Sequence, residues 1–135
     1  RDYIMNEDQA ALVRNRLEQA ERTLRQAEIL AEYDEWNGVV NRAYYAMFYS
    51  ALALLITKDL GSSKHTGVLA LIDREFVHPK ILPVEVSMML RDAFNERQKS
   101  DYSEFVPVSR ERAEGIINNA RQVLSRIKNV INNLD

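Results

Sequence analysis

The chain has 135 residues, with 18 basic and 20 acidic side chains, a formal net charge of −2 and no cysteine. The lack of cysteine excludes disulfides, thiolate nucleophiles and cysteine-ligated metal sites, and the near-neutral charge excludes a uniformly basic nucleic-acid-binding surface. The length is that of one domain, so we expect residues 1–135 to form a single domain that buries a core without a metal or disulfide staple.

The start of the chain has no apolar secretory segment. The longest nearly apolar run covers residues 43–56, which is shorter than the roughly 20 residues that span a bilayer. We therefore expect a cytoplasmic protein without a membrane partner.

Two helices are predicted in the first half of the chain. Residues 7–32 carry apolar side chains at alternating spacings of four and three, which is one stripe of a helix. Residues 37–58 form a second helix that is apolar on almost every side, as in the centre of a bundle or in an interface. Asn37 and Gly38 form either a turn or the start of this helix.

Three more helices are predicted after Gly61. Ser62 or Ser63 can cap a helix over 64–78, which ends at His78 because the residue before a proline disfavours helical backbone. A fourth helix covers 83–100, and Ser109 caps a fifth over 110–133. The pattern predicts an all-α, up-and-down bundle of about five helices.

In the fourth helix an arginine falls on the apolar stripe. Extending the stripe from Ala93 and Phe94 by one turn reaches Arg97, and Asp101 follows one turn later. One interpretation is an exposed ion pair of little energetic value, and the other is a partly buried arginine that binds phosphate. Spacing alone leaves both open.

The second helix also carries polar side chains among its aromatic residues. Arg42 and Tyr45 lie one turn apart, and Asn41 shares a face with Tyr44 and Tyr45. Such tyrosines are usually core or interface residues, and the alternative is a platform that stacks on a nucleobase beside an arginine.

The two histidines give few acid–base options. Lys64 and His65 begin the predicted third helix, where backbone amides favour an anion, although His65 there can also be a solvated residue. Glu75 and His78 have a spacing used in di-iron bundles, but the other ligands of such a site have no counterpart, so we expect no metal and no cofactor.

Several segments resemble one known family. Residues 41–55 read NRAYYAMFYSALALL and resemble the central helix of HEPN (higher eukaryotes and prokaryotes nucleotide-binding) domains. The segments SSKHTGV (62–68), REF (74–76) and RQKSDY (97–102) follow in the order seen in a branch of small prokaryotic HEPN proteins. The resemblance covers residues 8–132.

This resemblance implies a helical bundle that commonly forms a homodimer with a cleft between protomers. Many HEPN proteins are metal-independent ribonucleases, often toxins paired with a nucleotidyltransferase antitoxin, and others bind nucleotides or RNA without cutting. Catalytic members carry an arginine followed, after four to six residues, by a histidine. Arg97 matches the arginine, and Tyr102 stands where the histidine is expected.

The tyrosine weakens the expectation of catalysis. A phenol with an ordinary pKa of about 10 is a poor base near neutral pH. In some pairs of this family the antitoxin attaches adenylate to a tyrosine near the motif, and Tyr102 is placed for such a modification.

Three functions follow as expectations. The first is a nucleotide- or RNA-binding, toxin-like dimer with a possible antitoxin partner, which holds its ligand through Asn41, Arg42, Tyr45, Lys64, His65, Arg97 and Asp101. The second is a metal-independent endoribonuclease that uses Arg97 with Tyr102 or His65. The third is a non-catalytic scaffold that binds a protein partner.

Overall fold

The structure, a computed structural model, describes residues 5–102 and 107–134, and of Tyr102 the backbone alone. Within those ranges it consists of helices and loops without a strand, which confirms the all-α prediction. The helices are α1 (Glu7–Glu32), α2 (Trp36–Ile56), α3 (His65–Ile72), α4 (Val84–Tyr102) and α5 (Arg110–Asn132). A π-helical turn, Asp73–Val77, continues α3 to nearly the length predicted from the sequence.

Contacts between helices show that α1 runs antiparallel to both α2 and α5. The Gln9 side-chain amide near the start of α1 donates to the Ile56 carbonyl at the end of α2, at 2.7 Å. Arg121 of α5 pairs with Glu28, whereas Lys128, two turns later, pairs with Glu21, two turns earlier on α1. The two helices α2 and α5, which pack against each other, therefore run in the same direction.

The second helix is the centre of the bundle, as its composition predicts. More than half of α2 is buried, and it packs against α1, α3, α4 and α5. Met47, Leu54 and Leu55 are fully buried, and burial of each such side chain contributes roughly 1.5–3 kcal/mol of transfer free energy.

Of the helices that the structure describes, α2 alone is long and apolar enough to cross a membrane by length and composition. It has 21 residues, so it is longer than the apolar run identified in the sequence. Because 67% of its apolar window is buried inside the bundle, its apolar character is accounted for by helix packing.

A local side-chain hydrogen bond explains where α5 begins. Ser109 Oγ accepts the backbone N–H of Arg112 at 3.1 Å, so the predicted cap of α5 is confirmed. Asn37 and Gly38 lie in the first turn of α2, and not in a separate turn. A Cβ on Gly38 would lie 3.0 Å from Leu30 Cδ1, so the glycine lets α1 and α2 approach closely.

The predicted cap of α3 is wrong. The N-cap residue is Lys64, which makes no side-chain cap bond. Ser62 Oγ instead accepts the backbone N–H of Lys64 at 3.2 Å, and it occupies the space where a Cβ on residue 67 would lie. Gly67 therefore allows the serine turn to pack against the helix, and this packing displaces the cap.

Candidate functional site

Arg97 is partly buried near the end of α4, on the side that faces α2. Its side chain is 19% exposed, and its Nε donates to Asp101 Oδ2 at 3.0 Å. Burial by itself lowers the pKa of Arg97. The hydrogen bond to Asp101 and the neighbouring Tyr45 raise the pKa by more than burial lowers it, so the net shift is upward. The arginine therefore has its ion pair and is also partly buried, and its binding of phosphate stays a prediction.

Two guanidinium groups contact the ring of Tyr45. The Cζ atoms of Arg42 on α2 and of Arg97 on α4 each lie 5.4 Å from the ring centroid. Arg97 also lies 5.5 Å from the centroid of Tyr44. Cation–π attraction therefore holds two positive charges close to one half-buried aromatic ring.

Arg42 also organises two amide side chains. Its Nε donates to Asn41 Oδ1 at 3.0 Å, and its Nη1 donates to Gln26 Oε1 on α1 at 3.3 Å. Because a guanidinium has no acceptor, both amides must present their oxygens to it. Their NH₂ groups remain as donors, together with Nη2 of Arg42.

His65 is held by aromatic side chains at the start of α3. Its ring centroid lies 4.2 Å from that of Phe48, and its Nδ1 lies 3.0 Å from the hydroxyl oxygen of fully buried Tyr44. Burial, followed by the charge of Arg97, lowers the pKa of His65. Burial also raises the pKa of Tyr44. Both groups are therefore neutral near neutral pH, and the interpretation of His65 as a fully solvated residue is wrong.

The remaining predicted residues lie at the edge of this cluster or outside the described atoms. Asp101 is exposed and serves as the carboxylate partner of Arg97. Lys64 is exposed, and within residues 5–102 and 107–134 it makes no ion pair. The side chain of Tyr102 lies outside the described residues, so its role stays a prediction.

The spacing of Glu75 and His78 does not produce a ligand cluster in the described part of the chain. No group of three histidine, aspartate or glutamate side chains there could hold a metal ion. Glu75 Oε2 accepts instead from Arg74 Nε at 2.8 Å, and Glu75 Oε1 lies 3.4 Å from Lys58 Nζ.

Three open grooves lie away from the arginine–aromatic cluster. Two grooves of about 620 and 690 Å³ lie between α1 and α5, and a third of about 490 Å³ lies beside Asn6 and Gly61. Arg97, Arg42 and His65 line none of these three. The first two grooves contain paired charges, Arg121 with Glu28 and Lys128 with Glu21. The candidate site is therefore identified by its hydrogen-bond donors and not by the shape of a groove.

Sequence reasoning missed Gln26 and the bond between Tyr44 and His65. Gln26 is an exposed residue of the regular α1 pattern, and its contact with Arg42 depends on the register between two helices. Tyr44 and His65 are 21 residues apart, so no local pattern joins them.

The arrangement combines several hydrogen-bond donors with one nearby carboxylate and a neutral imidazole. Such a set can bind an acceptor-rich anion, because guanidinium and amide N–H groups match phosphate oxygens. The protein is therefore an all-α bundle. It carries a basic and aromatic cluster on its central and fourth helices.

Comparisons with known proteins assign the chain to a family. The HEPN domain model matches residues 13–130. "Putative toxin MJ0605" of Methanocaldococcus jannaschii is 36% identical over 128 residues, which are 95% of each chain. "Putative toxin MJ0142" of the same organism is 35% identical over 112 residues, which are 83% of this chain and 76% of that protein. A "UPF0332 protein" of Thermotoga maritima is 36% identical over 115 residues, covering 85% of this chain and 87% of that protein.

The chain therefore belongs to the HEPN domain family. The match extends over all five helices and includes the segments from which the resemblance was inferred.

Proposed function

We propose that this HEPN protein is a toxin-like module that binds single-stranded RNA or a nucleotide through its arginine–aromatic cluster. The observation that carries the proposal is the convergence of Arg42 and Arg97 on Tyr45, each 5.4 Å from the ring centroid. Support for the toxin-like role comes from relatives whose names describe them as toxins.

Arg97 is the anchor of the proposed site. Within the described ranges its hydrogen-bonding partner is Asp101, which accepts the Nε–H and leaves the N–H groups of both terminal nitrogens as donors. Contact with Tyr44 and Tyr45 orients the guanidinium before a ligand arrives, so less entropy is lost on binding. Asp101 is more exposed than Arg97 and fixes the guanidinium from the solvent side.

A titration of labelled single-stranded RNA tests this role. Fluorescence anisotropy would be measured in low salt with EDTA for the wild type, Arg97→Gln and Arg14→Gln. Arg14 is the matched control because it is an exposed arginine on α1, about 18 Å along the helix from Gln26. We expect Arg97→Gln to weaken binding about tenfold, the value of one charge-assisted contact, and Arg14→Gln to change it little. Equal losses in both variants would indicate a diffuse charge effect.

We further propose that the protein acts as a homodimer. The tyrosine-rich helix α2 is mostly buried within one protomer, whereas Ile81, Val84 and Met88 are 45%, 57% and 62% exposed. These side chains lie in and just before the first turns of α4, and apolar groups left exposed in this way favour an interface. Sedimentation equilibrium should give a dimer for the wild type and a monomer for Met88→Glu; a monomeric wild type would reject the dimer.

The proposed antitoxin partner is a nucleotidyltransferase that modifies Tyr102. The step joins the adenylate phosphorus of ATP to the phenolic oxygen and releases pyrophosphate, while the phenolic proton goes to solvent. Intact mass would be recorded after incubation with a cognate nucleotidyltransferase and ATP. We expect one added adenylate on the wild type and none on Tyr102→Phe, and an unchanged wild-type mass would reject the proposal.

A second candidate function is metal-independent RNA cleavage, and the bond between His65 and Tyr44 favours it. The lowered pKa of His65 keeps its imidazole neutral and able to accept a proton. In the reaction, the 2′-oxygen of RNA attacks the adjacent phosphorus and its proton passes to a base, either Tyr102 or His65 Nε2. His65 Nε2 is the acceptor in the tautomer whose Nδ1–H donates to the Tyr44 hydroxyl oxygen. The bond to the 5′-oxygen breaks and that oxygen takes a proton, which leaves a 2′,3′-cyclic phosphate.

Incubation of labelled RNA with the protein in EDTA distinguishes the two functions. A nuclease should give cyclic-phosphate ends that disappear with Arg97→Gln and with either His65→Gln or Tyr102→Phe. Binding without cleavage by folded protein supports the non-catalytic binding module. If the folded protein neither binds nor cleaves RNA, the result supports the scaffold that binds a protein partner. Cleavage that survives every substitution would point to a contaminating nuclease.

A further inference from the structure

We propose that the site contains a second phosphate subsite, formed by Gln26, Asn41 and Arg42 on the α1 side of Tyr45. The ligand would then be a nucleic acid segment with two successive phosphates, and not a mononucleotide. This inference rests on the proposed function, because it assigns Arg97 to the first phosphate.

The hydrogen-bond directions in this cluster carry the argument. Arg42 donates to both amide oxygens, at 3.0 Å to Asn41 and 3.3 Å to Gln26. Both amide oxygens are therefore already occupied by Arg42, and the amide NH₂ groups and Nη2 of Arg42 remain as donors within the described residues. Donors whose neighbouring acceptors are occupied are complementary to a phosphate, which supplies only acceptors.

The location of the cluster separates it from Arg97 but keeps it within reach of the same ligand. Arg42 and Arg97 come from different helices and contact the same ring at the same distance of 5.4 Å. Their separation is thus limited to about two such contacts, a span that suits neighbouring phosphates of one strand.

The carboxylate distribution distinguishes the two subsites. Arg97 is paired with Asp101, whereas Arg42 has neutral amide partners and, in the described part of the chain, no carboxylate within ion-pair distance. A purely structural arginine linking α1 to α2 would gain more from an acidic partner, as Arg121 does with Glu28. Neutral partners leave the charge of Arg42 available to a ligand.

The test compares a ligand with one phosphate and a ligand with two. Isothermal titration would give the affinities of UMP and of the dinucleotide pUpU for the wild type, Arg42→Gln, Arg97→Gln and the control Arg14→Gln. We expect pUpU to bind the wild type about tenfold more tightly than UMP, since it makes a second charge-assisted contact. Arg42→Gln should remove most of this difference and weaken UMP much less than pUpU, whereas Arg97→Gln should weaken both ligands.

A second variant keeps the test valid if Arg42→Gln is poorly folded. Gln26→Leu removes one amide from an exposed position, so it should reduce pUpU affinity by a smaller factor without affecting UMP. The second subsite is rejected if Arg42→Gln weakens both ligands equally, or if neither variant changes the ratio of the two affinities. If the wild type binds neither ligand nor longer RNA, the proposed function itself fails and this inference fails with it.

Discussion

The hydroxyl oxygen of Tyr44 lies 3.0 Å from Nδ1 of His65, and this contact joins the middle of α2 to the first residue of α3. The same Tyr44 ring lies 5.5 Å from the guanidinium carbon of Arg97 on α4. One buried side chain therefore positions the imidazole and the arginine on which the proposed functions depend.

Removal of that hydroxyl should destabilise the protein by a measurable amount. Tyr44→Phe leaves half-buried His65 Nδ1 without its partner, and loss of such a hydrogen bond costs about 1 kcal/mol of unfolding free energy. Urea denaturation measures the change. The control is Tyr49→Phe, because the Tyr49 hydroxyl makes no hydrogen bond within residues 5–102 and 107–134. A Tyr44→Phe variant no less stable than this control would contradict the contact.

The protonation of His65 should make stability depend on pH. Its pKa in the folded protein is lowered, first by burial and then by Arg97, so the unfolded chain binds the proton more tightly. This contribution to stability is complete above the unfolded pKa, near 6.5, and is lost as the pH falls through the folded pKa. Between pH 7.5 and 5, the wild type should lose more unfolding free energy than His65→Gln. Parallel losses in the two proteins would show that another group is responsible.

Arg112 should stabilise the half of α4 that carries Arg97. It bridges two carboxylates of α4, with Nε at 2.6 Å from Glu96 and an Nη2 contact to Asp92, and these hydrogen bonds raise its pKa. The side chains are partly exposed, so Arg112→Gln should cost only about 1 kcal/mol at low salt and less at 1 M salt. Arg121→Gln, which loses one interhelical carboxylate partner, should cost less. Thermal unfolding at two salt concentrations measures both, and a salt-independent loss would contradict an electrostatic role.

The main features of the fold could be predicted from the sequence because they depend on local spacing. The apolar stripes of α1 and α5 and the all-round apolar character of α2 gave helices whose ends agree closely with the structure. Ser109 was predictable as a cap because its bond to Arg112 spans three residues. The position of Ser62 was not predictable, because it is determined by packing against Gly67.

The site was only partly predictable for the same reason. The position of Arg97 on the apolar face followed from its spacing in α4, and that face directs it toward α2. The contacts of Arg42 with Gln26 and of Tyr44 with His65 span 16 and 21 residues, and they depend on how helices pack against one another. A periodic pattern shows which face of a helix is buried, but it does not show which residue of another helix lies opposite.

The role of Arg97 in binding RNA is tested by measuring RNA affinity and unfolding free energy together for Arg97→Gln. If Arg97 binds phosphate, RNA affinity should fall about tenfold, while unfolding free energy changes by no more than about 1 kcal/mol, the value of a partly exposed ion pair. A variant that is strongly destabilised, from a wild type that binds no RNA or nucleotide, would instead make Arg97 a structural residue and contradict its role in RNA binding.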